Sequence, residues 1–392
     1  MSRLSELIEQ LCPDGVEYKT IQETVGVNRG KRLTKSQLSD DGEYEVYHGS
    51  KDSILGKYNQ YNAPANTTIV VNTGGIGGVK FLDRTFWCSD GSFWLGQADY
   101  IDSKYLYYCL SGYEDYFYSQ KRVGGVPTID RSVVEDFKIP VPPLLVQSEI
   151  VRILDSFTSL TAELTAELTA RKKQYNFYRD KLLDFKEGEV QRIQMRNLFD
   201  FRNGLSKGKE FFGKGTPFIR YTDVYNHRFL HKEDITERVT CTEKEIEKLS
   251  VKRGDVLFTR TSETAEEVGY SSVMLDNIEE CVFNGFTIRA TPKTDLLMPE
   301  YCAYCFSTND FRDYVATHCA FTTRASLTGT VIGEYQLAVP SMEIQKRLVY
   351  VLEHFETICN NLNIGIPAEI EARQKQYEFY RDKLLNFKEL SK

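Results

Sequence analysis

Residues 171–187 read RKKQYNFYRDKLLDFKE, and residues 373–389 read RQKQYEFYRDKLLNFKE. Fourteen of the seventeen positions are identical, at an offset of 202. The likeness extends upstream at an offset of 198, where VPPLLVQ at 141–147 falls on VPSMEIQ at 339–345. Ile153-Leu154 and Phe157 then fall on Val351-Leu352 and Phe355, and Val133-Val134 and Phe137 fall on Val331-Ile332 and Tyr335. The change of offset makes the second copy four residues longer in its middle. The chain therefore runs variable unit, shared segment, variable unit, shared segment. The boundaries read from this are 1–143, 144–187, 188–341 and 342–392.

Each shared segment reads as a long helix. In the first, Ile150, Leu154, Phe157, Thr161, Leu164, Leu168, Arg171, Tyr175, Tyr178, Leu182 and Phe185 alternate by four and three. That is a coiled-coil seam of about five heptads. Pro142-Pro143 before it and Gly188 after it are sensible ends. A helix of about 40 residues spans roughly 60 Å and is not buried inside one small domain. The second segment keeps the seam at Leu348, Leu352, Phe355, Cys359 and Leu362, then at Ile370, Arg373, Tyr377, Tyr380, Leu384 and Phe387. Between them lies NIGIP at 363–367, where glycine and proline should kink or break the helix and the extra residues act as a stutter. Each helix is the other's apolar partner. The fold class expected is α+β: two mixed α/β domains separated by two long antiparallel coiled-coil helices, a pseudo-twofold tandem repeat. Two like units at a fixed separation suit a rod-shaped ligand with two half-sites, and DNA is such a ligand.

Composition narrows the class. The 392 residues are 41% hydrophobic and 27% charged, ordinary for globular domains, and the length suggests two or three of them. No apolar run reaches about 18 residues, so no membrane span is expected. The opening MSRLSELIEQLCPDG lacks the apolar core of a signal peptide. Nine scattered cysteines, an odd number, fit reduced thiols in the cytoplasm. The net charge is −7. Residues 1–143 carry 15 Lys/Arg against 19 Asp/Glu, residues 188–341 carry 19 against 22, and both helical segments are balanced. No segment is basic, so a DNA site must be a local patch. Candidate patches are Arg29, Lys31, Arg32 and Lys35; Lys207, Lys209, Lys214 and Arg220; and Lys252, Arg253 and Arg260. Each reads equally well as solvated surface.

No catalytic constellation emerges. Residues 208–214 fit G-x-x-x-x-G-K, but Gly215 stands where Ser or Thr should hold magnesium, and TPFIRY after it reads as a strand. GGIGG at 74–78 precedes VKFL and reads as a tight turn between strands. Cys302 and Cys305 form a lone CxxC, read as buried helix thiols. The five histidines form no HExxH, and no Asn/Asp-Pro-Pro-aromatic motif of amino-methyltransferases is present.

Four stretches together carry a resemblance over nearly the whole chain: CPDGVEY at 12–18, PTIDRSVVEDFKIPVPPL at 127–144, the RKKQYNFYRDKLL and RQKQYEFYRDKLL pair, and IPAEIEAR at 366–373. The sequence resembles the specificity subunits of type I restriction-modification systems. The resemblance implies a non-catalytic subunit with two target-recognition domains, each reading half of a bipartite double-stranded DNA sequence. It implies helices that set the gap between half-sites and dock two modification subunits. Those subunits would bind S-adenosylmethionine and methylate adenine; restriction subunits, with ATP and magnesium, would translocate and cut. No cofactor or metal is expected on this chain. The repeated YRDKLL segments would present the docking surfaces, with Tyr178, Arg179, Lys181, Tyr380, Arg381 and Lys383 as candidates. The sequence TAELTAEL at 161–168 would act as a ruler for the gap.

TTIVVN at 67–72, DVLFT at 255–259 and VFNGFTI at 282–288 read as strands, and 100–110 and 301–315 as scaffold helices. Base contacts should come from polar and aromatic loops between such elements. In the first unit these are His48, Ser50 and Lys51; Asn72 and Thr73; Ser89, Asp90 and Ser92; and Lys121 and Arg122. In the second they are Arg220, Tyr221, Asp223, Tyr225 and Asn226; Arg260, Thr261 and Ser262; Asn284; and Thr322, Thr323 and Arg324. For each, a purely structural or phosphate-contacting role is the competing reading. For the chain, a protein–protein scaffold with two degenerate domains and no DNA readout competes, as does a stand-alone enzyme. Net acidity suggests that the isolated chain binds DNA poorly and that modification subunits complete a basic clamp.

Overall fold

A computed structural model describes residues 3–122, 124–360 and 365–390. It divides into two compact units, Met1–Thr165 with Glu369–Lys392, and Ala166–Ala368. The division falls inside the TAEL repeat of the helix Leu144–Leu183, not at the helix ends that the sequence suggested. Each unit thus combines one variable region with part of both helical segments.

In the first unit the β-branched run Thr67–Val71 is buried along its whole length, as a central strand must be. It lies in an antiparallel sheet of order Val27–Arg29, Ser92–Leu95, Thr67–Val71, Val79–Leu82. A second sheet has the order Gly56–Tyr58, Tyr44–Tyr47, Trp87–Cys88, its last pair parallel. The ribbon Glu17–Thr20 with Lys138–Val141 joins the entry of the domain to its exit. GGIGG at 74–78 forms the turn between Thr67–Val71 and Val79–Leu82.

The second unit repeats this plan. Its main sheet has the order Phe199–Asn203, Thr287–Pro292, Val256–Thr259, Ser271–Met274, with Phe229–Leu230 added in parallel at the edge. Its second sheet is Glu237–Val239, Phe212–Ile219, Val282–Phe283, the last pair again parallel. The ribbon Gln191–Gln194 with Gln336–Val339 matches the first unit's. A three-stranded sheet of Thr261–Ser262, Ala325–Ser326 and Ala320–Phe321 completes it. In the first unit that sheet is reduced to the bridges Thr73–Thr128 and Arg122–Thr128.

Two expected elements are split. The stretch 282–288 is two strands in different sheets, because Asn284 turns the chain: its carbonyl accepts from the Thr287 amide at 3.0 Å. The stretch 301–315 is two helices, Pro299–Cys305 and Asn309–His318, because Thr308 caps the second through its hydroxyl. The CxxC thiols lie buried in the first of these helices, and burial pushes Cys305 up to about 12.

Buried glutamines explain why the two copies fold alike. Gln147 accepts from the Asp102 amide (2.8 Å) and donates to the carbonyls of Tyr100 (3.0 Å) and Pro142 (2.7 Å). Gln345 accepts from the Met298 amide (2.8 Å) and donates to Leu296 (2.8 Å) and Pro340 (2.9 Å). One side chain thus satisfies three backbone groups at the junction of scaffold helix, ribbon and long helix. Tyr105 and Tyr301 complete the match, donating to Pro140 O and Ala338 O.

The seam on Leu144–Leu183 is graded. Ile150, Leu154 and Tyr175 are buried, Thr161, Leu164 and Leu168 are half-buried, and Arg171, Tyr178 and Leu182 are exposed. In the first unit Phe157 stacks on Tyr380 with centroids 5.4 Å apart; in the second Tyr178 meets Phe355 at 6.3 Å. The second helical segment is two helices, Met342–Asn360 and Ile366–Leu384, with Gly365 at φ +101° before the second. Positive φ there suits glycine and breaks the helix as expected. Leu362, Asn363, Ile364 and the side chain of Cys359 lie outside the described residues.

Each unit closes its long helix the same way. In the second unit the chain runs on from Leu183 into the ribbon, and Arg192 donates to Phe185 O at 3.0 Å. In the first the link is not covalent: Tyr18 donates to Phe387 O at 3.0 Å, and Val16 to Lys388 O at 2.8 Å. Tyr18 and Arg192 occupy equivalent ribbon positions, paired with Pro140 and Ala338.

Candidate nucleic-acid interface

In both units the candidate loops leave the same strands. In the first, 48–51 follows Tyr44–Tyr47, 72–73 follows Thr67–Val71, and 89–92 follows Trp87–Cys88. These loops are tied together: Gly91 N donates to His48 Nδ1 (3.2 Å), Asn72 N to Gly91 O (3.0 Å) and Gly75 N to Gly49 O (2.7 Å). A Cβ on Gly74, which has φ +79°, would meet Gly49 O at 2.5 Å, so this approach requires glycine. His48, Ser50, Thr73 and Asp90 thereby share one loop cluster, and the Thr73–Thr128 and Arg122–Thr128 bridges bring Arg122 to it. Lys121 lies with Nζ 3.5 Å from the centroid of the Tyr118 ring.

Three expected contact residues of this unit are not on the surface. Asn72, Ser89 and Ser92 are buried, the last completely. They lie at strand ends, where Ser89 donates to Asp90 and where Asn72 Oδ1 and Ser92 Oγ have no hydrogen-bond partner among the described residues; their polarity near loops was the misleading signal. Asp223 in the second unit is likewise buried, held by the Arg220 amide (2.8 Å) and guanidinium (2.7 Å). That hydrogen bond raises Arg220 above its usual range.

In the second unit Tyr221 and Tyr225 stack with centroids 6.1 Å apart, and Tyr225 meets Tyr270 at 4.9 Å. Tyr221, Tyr225, Thr261, Ser262, Phe286 and Arg324 line one open cleft of about 380 Å³. Phe286 is 59% exposed, beside Asn284, whose side chain accepts from the Phe286 amide at 2.7 Å. Thr322, Thr323 and Arg324 form the exposed tip between Ala320–Phe321 and Ala325–Ser326, and Asn226 is exposed at the end of its short helix. Arg260 does not share the cleft. Its backbone is fixed by Phe286 O and Leu327 N (both 2.8 Å), and it lines a neighbouring cleft with Arg196, Arg202 and Asn203.

Most candidate cations are paired within the chain. Lys51 lies 2.6 Å from Glu114, Arg220 2.7 Å from Asp223 and Arg324 3.6 Å from Glu263; Arg122 contacts Asp130. The candidate surface is therefore polar and aromatic and close to neutral.

The docking candidates separate by depth. Tyr178, Lys181 and Lys383 are exposed, and Tyr380 is half-buried against Phe157. Arg179 is 5% exposed, bonded to Asp180 and to Asn176. The Arg381 side chain is 13% exposed and lies over Gly112, where a Cβ would come within 2.8 Å of its Nε. The two arginines therefore pack within their own units. Phe177 and Phe379, not among the candidates, are each 61% exposed, with Lys181 and Lys383 each 5.9 Å from the respective ring centroid. Their signal was in the sequence: an identical phenylalanine off the seam in both copies. Among the described residues no three His, Cys, Asp or Glu side chains group as a metal site.

Comparison with known proteins agrees with this plan. The family of the type I restriction modification DNA specificity domain matches residues 13–171 and 187–372, one copy for each variable region. The specificity subunit of the Escherichia coli type I restriction enzyme EcoR124I/EcoR124II is 33% identical over 301 residues, 72% of this chain and 70% of that protein. A putative type I specificity subunit of Haemophilus influenzae is 26% identical and covers 95% of this chain and 96% of its own length. Among solved structures, the S subunit of a Mycoplasma genitalium type I restriction-modification system covers 95% of this chain with a TM-score of 0.51 at 16% identity. A chain from a structural study of type I complex assembly and conformational transition covers 96%, with a TM-score of 0.61 at 15% identity.

Proposed function

We propose a two-reader mechanism from the premise that this chain belongs to the type I restriction-modification specificity family, as a non-catalytic DNA sequence-specificity subunit that works with partner subunits. In this reading each unit contacts one half of a bipartite double-stranded target through the loops that leave its two sheets. The observation that carries it is the topological match: two regions with little sequence identity send polar loops from the same strands of the same sheets. The first reads with His48, Ser50, Lys51, Thr73, Asp90, Lys121 and Arg122. The second reads with Arg220, Tyr221, Tyr225, Asn226, Arg260, Thr261, Ser262, Asn284 and the tip Thr322-Thr323-Arg324. Arg260 is the strongest base reader, because its backbone is fixed while the residue lines a cleft, and arginine binds guanine bidentately.

The helices hold the readers apart and dock two modification subunits, through Tyr178 and Lys181 with Phe177, and through Lys383 with Phe379. Twin exposed aromatics with a lysine over each ring suit two copies of one partner. S-adenosylmethionine, ATP and magnesium belong to the partners, as does the pocket that receives the flipped adenine. The test is to map methylated adenines across the genome in cells with and without this chain, its modification subunit present in both. A bipartite motif with an unspecified gap, seen only with the chain, is the expected result; methylation independent of the chain would refute it.

A further inference from the structure

The pairing of the interface arginines is more than neutralisation. Arg122 and Arg324 lie on matching hairpins but at different positions: Arg122 bridges Thr128 as Ala320 pairs with Ser326, whereas Arg324 belongs to the tip of its hairpin. Both side chains are well exposed, at 72% and 66%. Each contacts a carboxylate, yet the carboxylates come from different elements. Asp130 follows the loop, whereas Glu263 lies after the central strand of its domain. What the two hairpins share is an exposed arginine held by a carboxylate, reached from different positions in each.

Neither carboxylate has an evident task in the fold. Asp130 stands at the N-cap position of Arg131–Glu135, but its side chain makes no cap bond. The Glu263 side chain is 83% exposed. Exposed pairs contribute little to stability. They matter for ligands. A phosphate reaching such an arginine must displace the carboxylate and then sit beside its charge, so contact with sequence-independent backbone is penalised. A base edge carries no full charge and does not meet that repulsion.

We propose that Asp130 and Glu263 are specificity-determining positioning residues, each holding its arginine away from non-cognate phosphate so that it engages only when the rest of the loop cluster is in register with the target. This rests on the DNA-reading role proposed above.

The test uses the full chain assembled with its modification subunits. Binding is measured across a salt series to a duplex carrying the mapped target and to one lacking it. Asp130→Asn and Glu263→Gln, isosteric changes at a half-buried and an exposed position, are expected to melt like the parent. Each should tighten non-cognate binding roughly three- to tenfold and steepen its log–log salt slope by about 0.9, one added phosphate contact. Cognate binding should change less, so the specificity ratio falls. Adding Arg122→Ala to Asp130→Asn, or Arg324→Ala to Glu263→Gln, should abolish the gain. The proposal is overturned if non-cognate affinity is unchanged, if cognate and non-cognate binding tighten alike, or if the gain survives loss of the arginine. A parent complex with no preference for its target would instead bring down the DNA-reading role itself.

Discussion

The two units share a scaffold and differ in the face they offer. Their main sheets have one strand order, their second sheets share a parallel pair, and Gln147 and Gln345 bind the same three kinds of backbone group. Above that scaffold the first unit has glycine-rich turns at 74–78 and 124–125, with Gly49 and Gly74 packed backbone to backbone. The second has the aromatic group Tyr221, Tyr225, Tyr270 and Phe286 and an extra hairpin sheet. The difference shows how two units diverge on one frame: the junction keeps its glutamine and tyrosine, while loops anchored at both ends carry different side chains.

The largest effect should come from the ruler. Deleting one TAEL from 161–168 shortens the helix by about 6 Å and rotates its end by roughly 40° beyond a full turn, close to the rotation of one base pair. Methylation should leave the original bipartite motif and appear at one with the gap changed by one base pair. Methylome sequencing checks this, and an unchanged gap would remove the helix from that role.

Next in size are the buried glutamines. Gln147→Ala and Gln345→Ala each strip partners from three buried backbone groups and should each cost about 3–5 kcal/mol. Denaturant unfolding combined with hydrogen exchange should place the loss in the corresponding unit. A cost confined to one copy would break the equivalence drawn above.

Arg260→Ala should relax one base position in the half-site of the second unit, worth about 1–3 kcal/mol. Competition binding against single-base variants of the target measures this. A uniform loss across all sequences would make Arg260 a phosphate contact.

The smallest effect concerns Lys207 and Glu245 in the second unit, a pair 2.8 Å apart. The Lys207 ammonium, with backbone and hydroxyl bonds from Thr242, holds the Glu245 carboxyl down to about 2, against an ordinary 4.5. A depressed carboxyl contributes stability above its unfolded value and loses it as pH falls. Glu245→Gln should therefore cost up to about 1 kcal/mol at neutral pH, and the gap from the parent should close between about pH 4.5 and 2. Melting curves across that range test it; a constant gap would mean that packing, not charge, is at stake.

Much of this was legible in the chain. The repeat gave the order of units, the four-three spacing gave the first helix, glycine and proline in NIGIP gave the break before Ile366, and the CxxC read correctly as buried thiols. Strand ends fell where β-branched runs end. What failed has one cause. Asn72, Ser89, Ser92 and Asp223 are polar residues near loops, and residue type does not tell whether such a group faces solvent or is buried where a strand or helix begins or ends. Arg179 and Arg381 failed likewise: the repeat marked them as important, but not whether importance meant surface or packing. Phe177 and Phe379 show the converse: apolar residues repeated off the seam, whose exposure the sequence did not give.

By itself, then, the sequence determined the tandem plan, the helices and the absence of a recognisable catalytic motif, because periodicity and repetition are local properties of the chain. Only the tertiary structure decided which polar side chains face outward, which cations are already held by carboxylates, and where the compact units divide. Those depend on contacts between residues far apart in sequence: Arg324 with Glu263, Arg381 with Gly112, Gln147 with Tyr100. No local pattern encodes such pairings, since each is set by the packing of the sheets and helices that carry the two partners.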